Sequence, residues 1–352
     1  MKALPKLVLA GLVVALLLSG CAPKVVKETV VVEKQVEKVV TAVPKVRVAL
    51  CPAGRIDQPG YIGLAGTGYL KACAAFGLVP KYWEGTSLEE WERNVRTAAE
   101  QGYDLTIGVG STMADAIKHV APDYPNQHFA LVDDYVGGDN VAGLIAQEQE
   151  GTFLAGALMA MMTVDTSLEG INPAKVIGFV GGMDIPVIHR FLGGVVQGAK
   201  YIDPDVEVKV AYVGSFADSP KAKELALSLF QDQDVDIVDS VAGSFGDSGV
   251  FEAVKETGLY GVGSDINWDN EVPGHILTSV LKRTDLMVYD MVQREVEGKF
   301  VKGEIYYGVN GGYVDITDMS AMGDKIPQSV KDKLAEIKKG IADGTIKVER
   351  WK

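Results

Sequence analysis

Lys175–Tyr201 reads KVIGFVGGMDIPVIHRFLGGVVQGAKY, and this stretch decides the fold. Val176-Ile177-Gly178-Phe179-Val180 is a short apolar run flanked by glycine, the pattern of a strand buried on both faces of a parallel sheet. Gly181-Gly182 permits a sharp turn, and Pro186 suits the first turn of a helix. Apolar residues at 187, 188, 191, 192, 195 and 196 then give that helix one buried face. The unit is strand, tight loop, helix. In open α/β sheets a ligand lies outside the carboxyl ends of the strands, so Met183, Asp184, His189, Arg190 and Phe191 are placed to meet a small molecule.

Upstream, Lys2 and Lys6 bracket the start of an apolar segment, Leu7 to Leu18, and Leu18-Ser19-Gly20-Cys21 follows. A basic start, a short apolar region and small residues before a cysteine predict a lipoprotein signal peptide over 1–20. Cys21 is the expected lipidation site, because Leu-Ser-Gly-Cys resembles the bacterial lipobox. Residues 21–45 are rich in Val, Lys and Glu and lack Gly, which suits a solvated, lipid-anchored tether. The expected location is therefore the extracytoplasmic face of the cell membrane.

From Val46 strands and helices alternate. Apolar runs at 46–51, 104–109, 128–132 and 141–145 predict strands, with helices near 62–76, 87–101, 112–121 and 151–163. A second series has strands near 175–180, 207–213, 235–240 and 259–263, with helices near 186–201, 219–231 and 247–257. Further on, strands near 276–280 and 304–309 flank a helix at 284–297, and an amphipathic helix closes the chain at 327–342. The fold class is α/β, doubly wound, and a body of roughly 300 residues exceeds what one core usually serves, so two lobes are expected. Cys51 and Cys73 sit at opposite ends of a strand–helix unit and are read as two buried thiols.

The net charge is −13, and loss of Lys2 and Lys6 with the leader takes it to −15. Such a body lacks the clustered cations that nucleic acid demands. No Walker loop, nucleophile elbow or His-Glu metal motif is present, and no second histidine stands at metal-ligand spacing from His189. Gly246-Asp247-Ser248-Gly249 is similar to the nucleophile segment of chymotrypsin-like proteases, but here it joins a strand to a helix, which that all-β fold does not do. Neither a cofactor nor a metal is expected.

GGMDIPVIHRF, followed by Gly194-x-x-x-Gly198-x-Lys200-Tyr201-x-x-Pro204, closely resembles the basic membrane protein (BMP) family of lipoproteins, as do Val210–Phe216 (VAYVGSF) and Leu277–Arg283 (LTSVLKR). Members of that family are substrate-binding components of ABC importers, and several bind purine nucleosides. The resemblance implies the type I periplasmic binding architecture: two parallel-sheet lobes, a hinge and a cleft between them. It places 46–165 and about 276–300 in the N-terminal lobe, and 166–275 and about 301–320 in the C-terminal lobe. Thr166–Pro173 would be the first crossing. The lobe of 321–352 stays open.

The resemblance also nominates the cleft residues. Asp57 matches the first Asp of the family's Gly-x-x-Asp-Asp-x-Ser-Phe-Asn stretch, Gln58 replaces the second, Tyr61 stands for the Phe and Ile62 for the Asn. Tyr61 and Phe191 would flank a flat base, or each would fill its own core. Gly110 and Ser111 end the second strand, where exposed amides either receive a ligand or are capped by the hydroxyl. Asp133 matches a family Asp, Met183 lies in the central turn, and Gly243 and Phe245 lie in a loop that is glycine-rich in the family. Asp265, in Gly-Val-Gly-Ser-Asp, is the leading candidate to accept hydrogen bonds from ribose hydroxyls. Trp268 would flank the cleft, and Lys282 would donate to a base.

The expectation is a monomeric, lipid-anchored receptor that hands a small polar ligand to an ABC permease. A purine nucleoside leads. The alternatives are a flavin or a sugar as ligand, or a cleft hydrolase.

Overall fold

A computed structural model describes residues 46–165 and 167–351. The leader, the tether, Cys21 and Thr166 lie outside the described residues. In chain order the first elements are β1 (Val48–Pro52), α1 (Tyr61–Phe76), α2 (Leu88–Glu100), β2 (Leu105–Val109), α3 (Ala114–Val120), β3 (His128–Val132), β4 (Val141–Ala146) and α4 (Glu148–Met162). Next come β5 (Val176–Gly181), α5 (Pro186–Ile202), β6 (Glu207–Tyr212), α6 (Ser219–Asp232), β7 (Ile237–Val241), α7 (Gly243–Thr257) and β8 (Tyr260–Asp265). The last are β9 (Ile276–Lys282), α8 (Thr284–Val296), β10 (Gly303–Tyr307), β11 (Val314–Ile316) and α9 (Gln328–Ala342).

The quoted stretch forms the unit its residues dictate. β5 is buried along its whole length, and α5 begins at Pro186 and buries Val187, Ile188, Phe191, Leu192 and Val195. The strands build two sheets, ordered β1-β2-β3-β4-β10 and β11-β9-β8-β7-β5-β6. All pairings are parallel except β11 with β9. Both faces of each sheet are packed by apolar clusters, which is why the strands read as continuous apolar runs rather than alternating ones.

The crossings between lobes differ from those expected. The first is at Gln147, not at 166–173, because α4 lies along α5 in the second lobe. The two helices approach so closely that a Cβ on Gly156 would strike the Val195 backbone, and one on Gly198 the Phe153 backbone. β9 belongs to the second sheet, paired with β8, and only after Lys282 does the chain return to pack α8 on α1. β10 then pairs with β4 and completes the first sheet, where the second lobe was expected. β11, a strand too short to be marked in the sequence, crosses to the second. α9 packs Leu334, Ile337 and Ile341 into the second lobe's core. Three connections thus join the lobes, and Gln147 N donates to Tyr307 O at 2.8 Å where two of them run side by side.

Cys51 and Cys73 are free, buried thiols. No helix among the described residues is long and apolar enough to cross a membrane.

Candidate functional site

The carboxyl ends of the strands in both sheets converge on the lobe boundary and bring charged side chains into the interior. Lys282, the last residue of β9, has a side chain 3% exposed; its Nζ lies 2.7 Å from Asp133 Oδ1 and 3.0 Å from Glu148 Oε1. Asp133 follows β3 in the first lobe, and Glu148 opens α4 in the second. Arg190, inside α5 and 5% exposed, donates from Nε to Glu148 Oε2 at 2.9 Å. Its Nη2 reaches Glu148 Oε1 and the Asp133 carbonyl, both at 3.3 Å. Tyr61, at the start of α1, and Phe191, one residue after Arg190, set their rings against the lysine. Nζ is 5.0 Å from the Tyr61 centroid and 5.5 Å from that of Phe191.

Burial by itself would raise the Glu148 carboxyl; Lys282 and Arg190 outweigh it and hold the group at about 2. Burial would lower the Lys282 ammonium, but Asp133, Glu148 and Asp265 keep it above its ordinary value. Asp265, at the end of β8, is different. Burial pushes its carboxyl up to about 6, with Lys282 drawing it back and Asp133 and Glu148 adding to the rise. Both cations are already engaged with Asp133 and Glu148.

Three buried oxygens of this group make no hydrogen bond of good geometry: Tyr61 Oη and Asp133 Oδ1, whose side chains lie near each other, and Asp265 Oδ1. The ammonium is close to Asp133 Oδ1, yet the contact is an ion pair without the angle of a hydrogen bond. Buried polar atoms left this way are costly, and three in one place mark a site completed by another molecule. Backbone strain coincides with them, since Asp133 (φ 80°) and Asp265 (φ 66°) adopt the left-handed conformation that residues with a Cβ avoid. A cavity of about 270 Å³ adjoins the cluster at the lobe boundary, lined by Ser111, Thr112, Asp133 and Asp134 from one side and Ile185–Val187 and Arg190 from the other. A larger depression, about 630 Å³, lies on the outer face of α2 around Glu89, Glu92 and Arg96, remote from the strand ends.

The profile of the family described as ABC transporter substrate-binding protein PnrA-like (Bmp) matches residues 45–349. The chain belongs to the Bmp family. It is similar to the CD4+ T-cell-stimulating antigen of Listeria monocytogenes (32% identical over 285 residues, 76% of each chain). It is also similar to the ABC transporter nucleoside-binding protein BmpA of Lactococcus lactis (31% over 286 residues, 76% of this chain and 77% of that one). An uncharacterized lipoprotein of Pyrococcus abyssi is 29% identical over 334 residues, 88% of this chain and 81% of that one. Among solved structures, an ABC transporter solute-binding protein from Aeropyrum pernix superposes with a TM-score of 0.73 at 28% identity, covering 87% of this chain and 93% of that one. The two-lobed α/β fold is thus that of periplasmic binding proteins of ABC transport systems. The Bmp family consists of solute-binding proteins, not enzymes, and the chain is a substrate-binding component with a small-molecule ligand and a transporter partner.

Of the residues nominated in this Bmp chain, Tyr61, Asp133, Phe191, Asp265 and Lys282 come together. Ser111 lines the adjoining cavity and Gly110 precedes it with φ 114°. Gly243 (φ 74°) starts α7, and a Cβ there would press on Phe216. Others lie outside this cluster. Asp57 and Gln58 are exposed, with Asp57 held by Arg55 Nε at 2.9 Å. Phe245 is 56% exposed at the lip of the boundary, where it is the neighbouring Ser244 that donates from Oγ to Pro59 O of the first lobe at 3.1 Å. Trp268 turns into the second lobe, because its Nε1 finds Ser264 O at 2.9 Å and its ring packs on Phe251 at 5.4 Å. Met183 accepts from the Ile185 amide within its turn, and His189 faces Asp184.

Glu148 was missed. Its one sequence signal is a carboxylate at the head of a helix that is otherwise buried on nearly every side. Arg190 was marked only by its position after the turn, with no role attached.

Proposed function

We propose that this substrate-binding protein captures a purine nucleoside between its lobes and delivers it to an ABC permease. The observation that carries the reading is the trio of buried oxygens without a well-formed hydrogen bond, on Tyr61, Asp133 and Asp265, gathered beside two aromatic rings. Carboxylate oxygens that lack donors suit vicinal hydroxyls, and ring faces suit a flat base. The name of the Lactococcus lactis relative, at 31% identity, supports the same ligand class. In this reading Asp265 takes the sugar, Tyr61 and Phe191 contact the base, and Lys282 keeps its pairing with Asp133 and Glu148 and donates its third N–H to the base. Asp57, Gln58, Gly110, Ser111, Met183, Gly243 and Phe245 contribute at the rim. Closure traps the ligand, because contacts from both lobes form together only then.

The mature chain works as a monomer held to the membrane by a lipid on Cys21. The Leu-Ser-Gly-Cys motif and the lipoprotein description of the Pyrococcus abyssi relative support the anchor.

Thermal unfolding of the mature protein with adenosine, guanosine, inosine, riboflavin and simple sugars tests the ligand class. Purine nucleosides at 100 times Kd should stabilise by about 2.7 kcal/mol. A shift with riboflavin or a sugar and none with any nucleoside would refute it.

A further inference from the structure

The buried charges form a closed ring across the lobe boundary. Arg190 binds Glu148, Glu148 binds Lys282, Lys282 binds the Asp133 carboxylate, and the Asp133 carbonyl returns to Arg190 Nη2. Three members belong to the second lobe and Asp133 alone to the first, so two of the four links span the boundary. Arg190 touches both its own-lobe carboxylate and the other lobe's main chain. That main chain is held at φ 80°, which aims the carbonyl at the guanidinium while the carboxylate meets the lysine.

We propose that Arg190 is the positioning residue that couples lobe closure to ligand retention. This rests on the reading of the boundary as the ligand site. One edge of the guanidinium fixes Glu148, and through it the shared ammonium of Lys282. The same edge fixes the backbone of Asp133, so the two side chains that face the ligand from opposite lobes are placed by one rigid fork. Separation of the lobes breaks both spanning links together, and a bound molecule leaves only after that. The guanidinium acts through its neighbours, and it also forms part of the wall of the adjoining cavity. Nε and Nη2 are already committed, and Glu148 is fully buried behind it.

Arg190→Lys keeps the charge and loses the fork. With inosine as probe, the variant should release ligand ~tenfold faster or more with little change in association rate, since loss of a buried charged contact acts on dissociation. Its ligand-free radius of gyration by small-angle scattering should exceed that of the wild type, while the inosine-bound radii coincide. Glu148→Gln, of nearly the same shape, should shift release in the same direction, and it serves if the lysine variant fails to fold by circular dichroism. A lower melting temperature with wild-type release in the folded variant would overturn the proposal. If the wild type binds no nucleoside, the ligand reading fails by itself. The ligand-free radii then decide, and equal values for wild type and variant overturn the coupling.

Discussion

Replacing Asp265 with asparagine should stabilise the ligand-free protein while weakening its hold on a nucleoside. The folded carboxyl keeps its proton up to about pH 6, whereas the unfolded chain releases it near the ordinary 3.8. Between those values the folded state binds more protons, so stability falls as pH rises through that window and stays low above it. At about 1.4 kcal/mol per pH unit the cost of ionising Asp265 in place reaches about 3 kcal/mol at neutral pH. Asparagine mimics the protonated group and escapes that cost. Asp236, also raised to about 6 by burial, and the buried Asp239 titrate in the same direction, but they are common to both proteins and cancel in the difference; Asp247, whose rise the Asp265 charge adds to, is relieved in the variant and widens the gap in the same sense. Denaturant unfolding of both from pH 4 to pH 8 should show a stability gap that widens from about 0.5 to about 3 kcal/mol, equivalent to a rise of roughly 5 °C in Tm at pH 7 by thermal unfolding. The variant should meanwhile bind inosine roughly ten- to a hundredfold more weakly, the worth of a hydrogen bond to a charged acceptor. A gap that stays constant across the range would refute the reasoning.

At the lip of the cleft, a Cβ on Gly60 would fall on Ser244 Oγ, and the residue sits at φ 105°. Gly60→Ala should therefore hinder closure and weaken nucleoside binding by roughly tenfold or more, with part of the loss restored by Ser244→Gly; titration calorimetry checks both. Trp268→Ala should cost about 3 kcal/mol of stability, since it removes core packing on Phe251, yet leave nucleoside affinity within about threefold at a temperature where the variant is folded; a large affinity loss would return the indole to the cleft. In a chain beginning after Cys21, the Cys51 and Cys73 thiols, both raised by burial, should resist a thiol reagent until the protein unfolds. Rapid labelling of the native protein would contradict that.

The strand–turn–helix units were legible because buried parallel strands and one-sided helices leave different periods in the sequence. Residues 176–180 and 186–201 show both within one stretch, and the observed elements are Val176–Gly181 and Pro186–Ile202. Lobe membership was not legible. α4 is apolar around its circumference, so no face of it says which sheet it covers. β9 and β10 are short runs whose side chains do not record which neighbour they pair with. At the site, the acids and rings at strand ends were accessible through the family resemblance. The electrostatic partner Glu148 was not, because a charge at a helix start ordinarily reads as a favourable first-turn residue. Trp268 went the other way: its three-residue spacing from Asp265 suggested the cleft, and a nearby carbonyl for its N–H took it into the core.

The late arrival of β10 has a consequence for biosynthesis. The outer edge of β4 is covered by nothing else in its sheet, and almost the whole second lobe intervenes before Gly303 leaves the ribosome or the translocation channel. Throughout that interval the first lobe presents a bare, apolar strand able to pair with another chain. Folding of the entire body at once, after the whole chain has emerged, would avoid that exposure, and truncation between Ala146 and Gly303 should leave a product prone to aggregate.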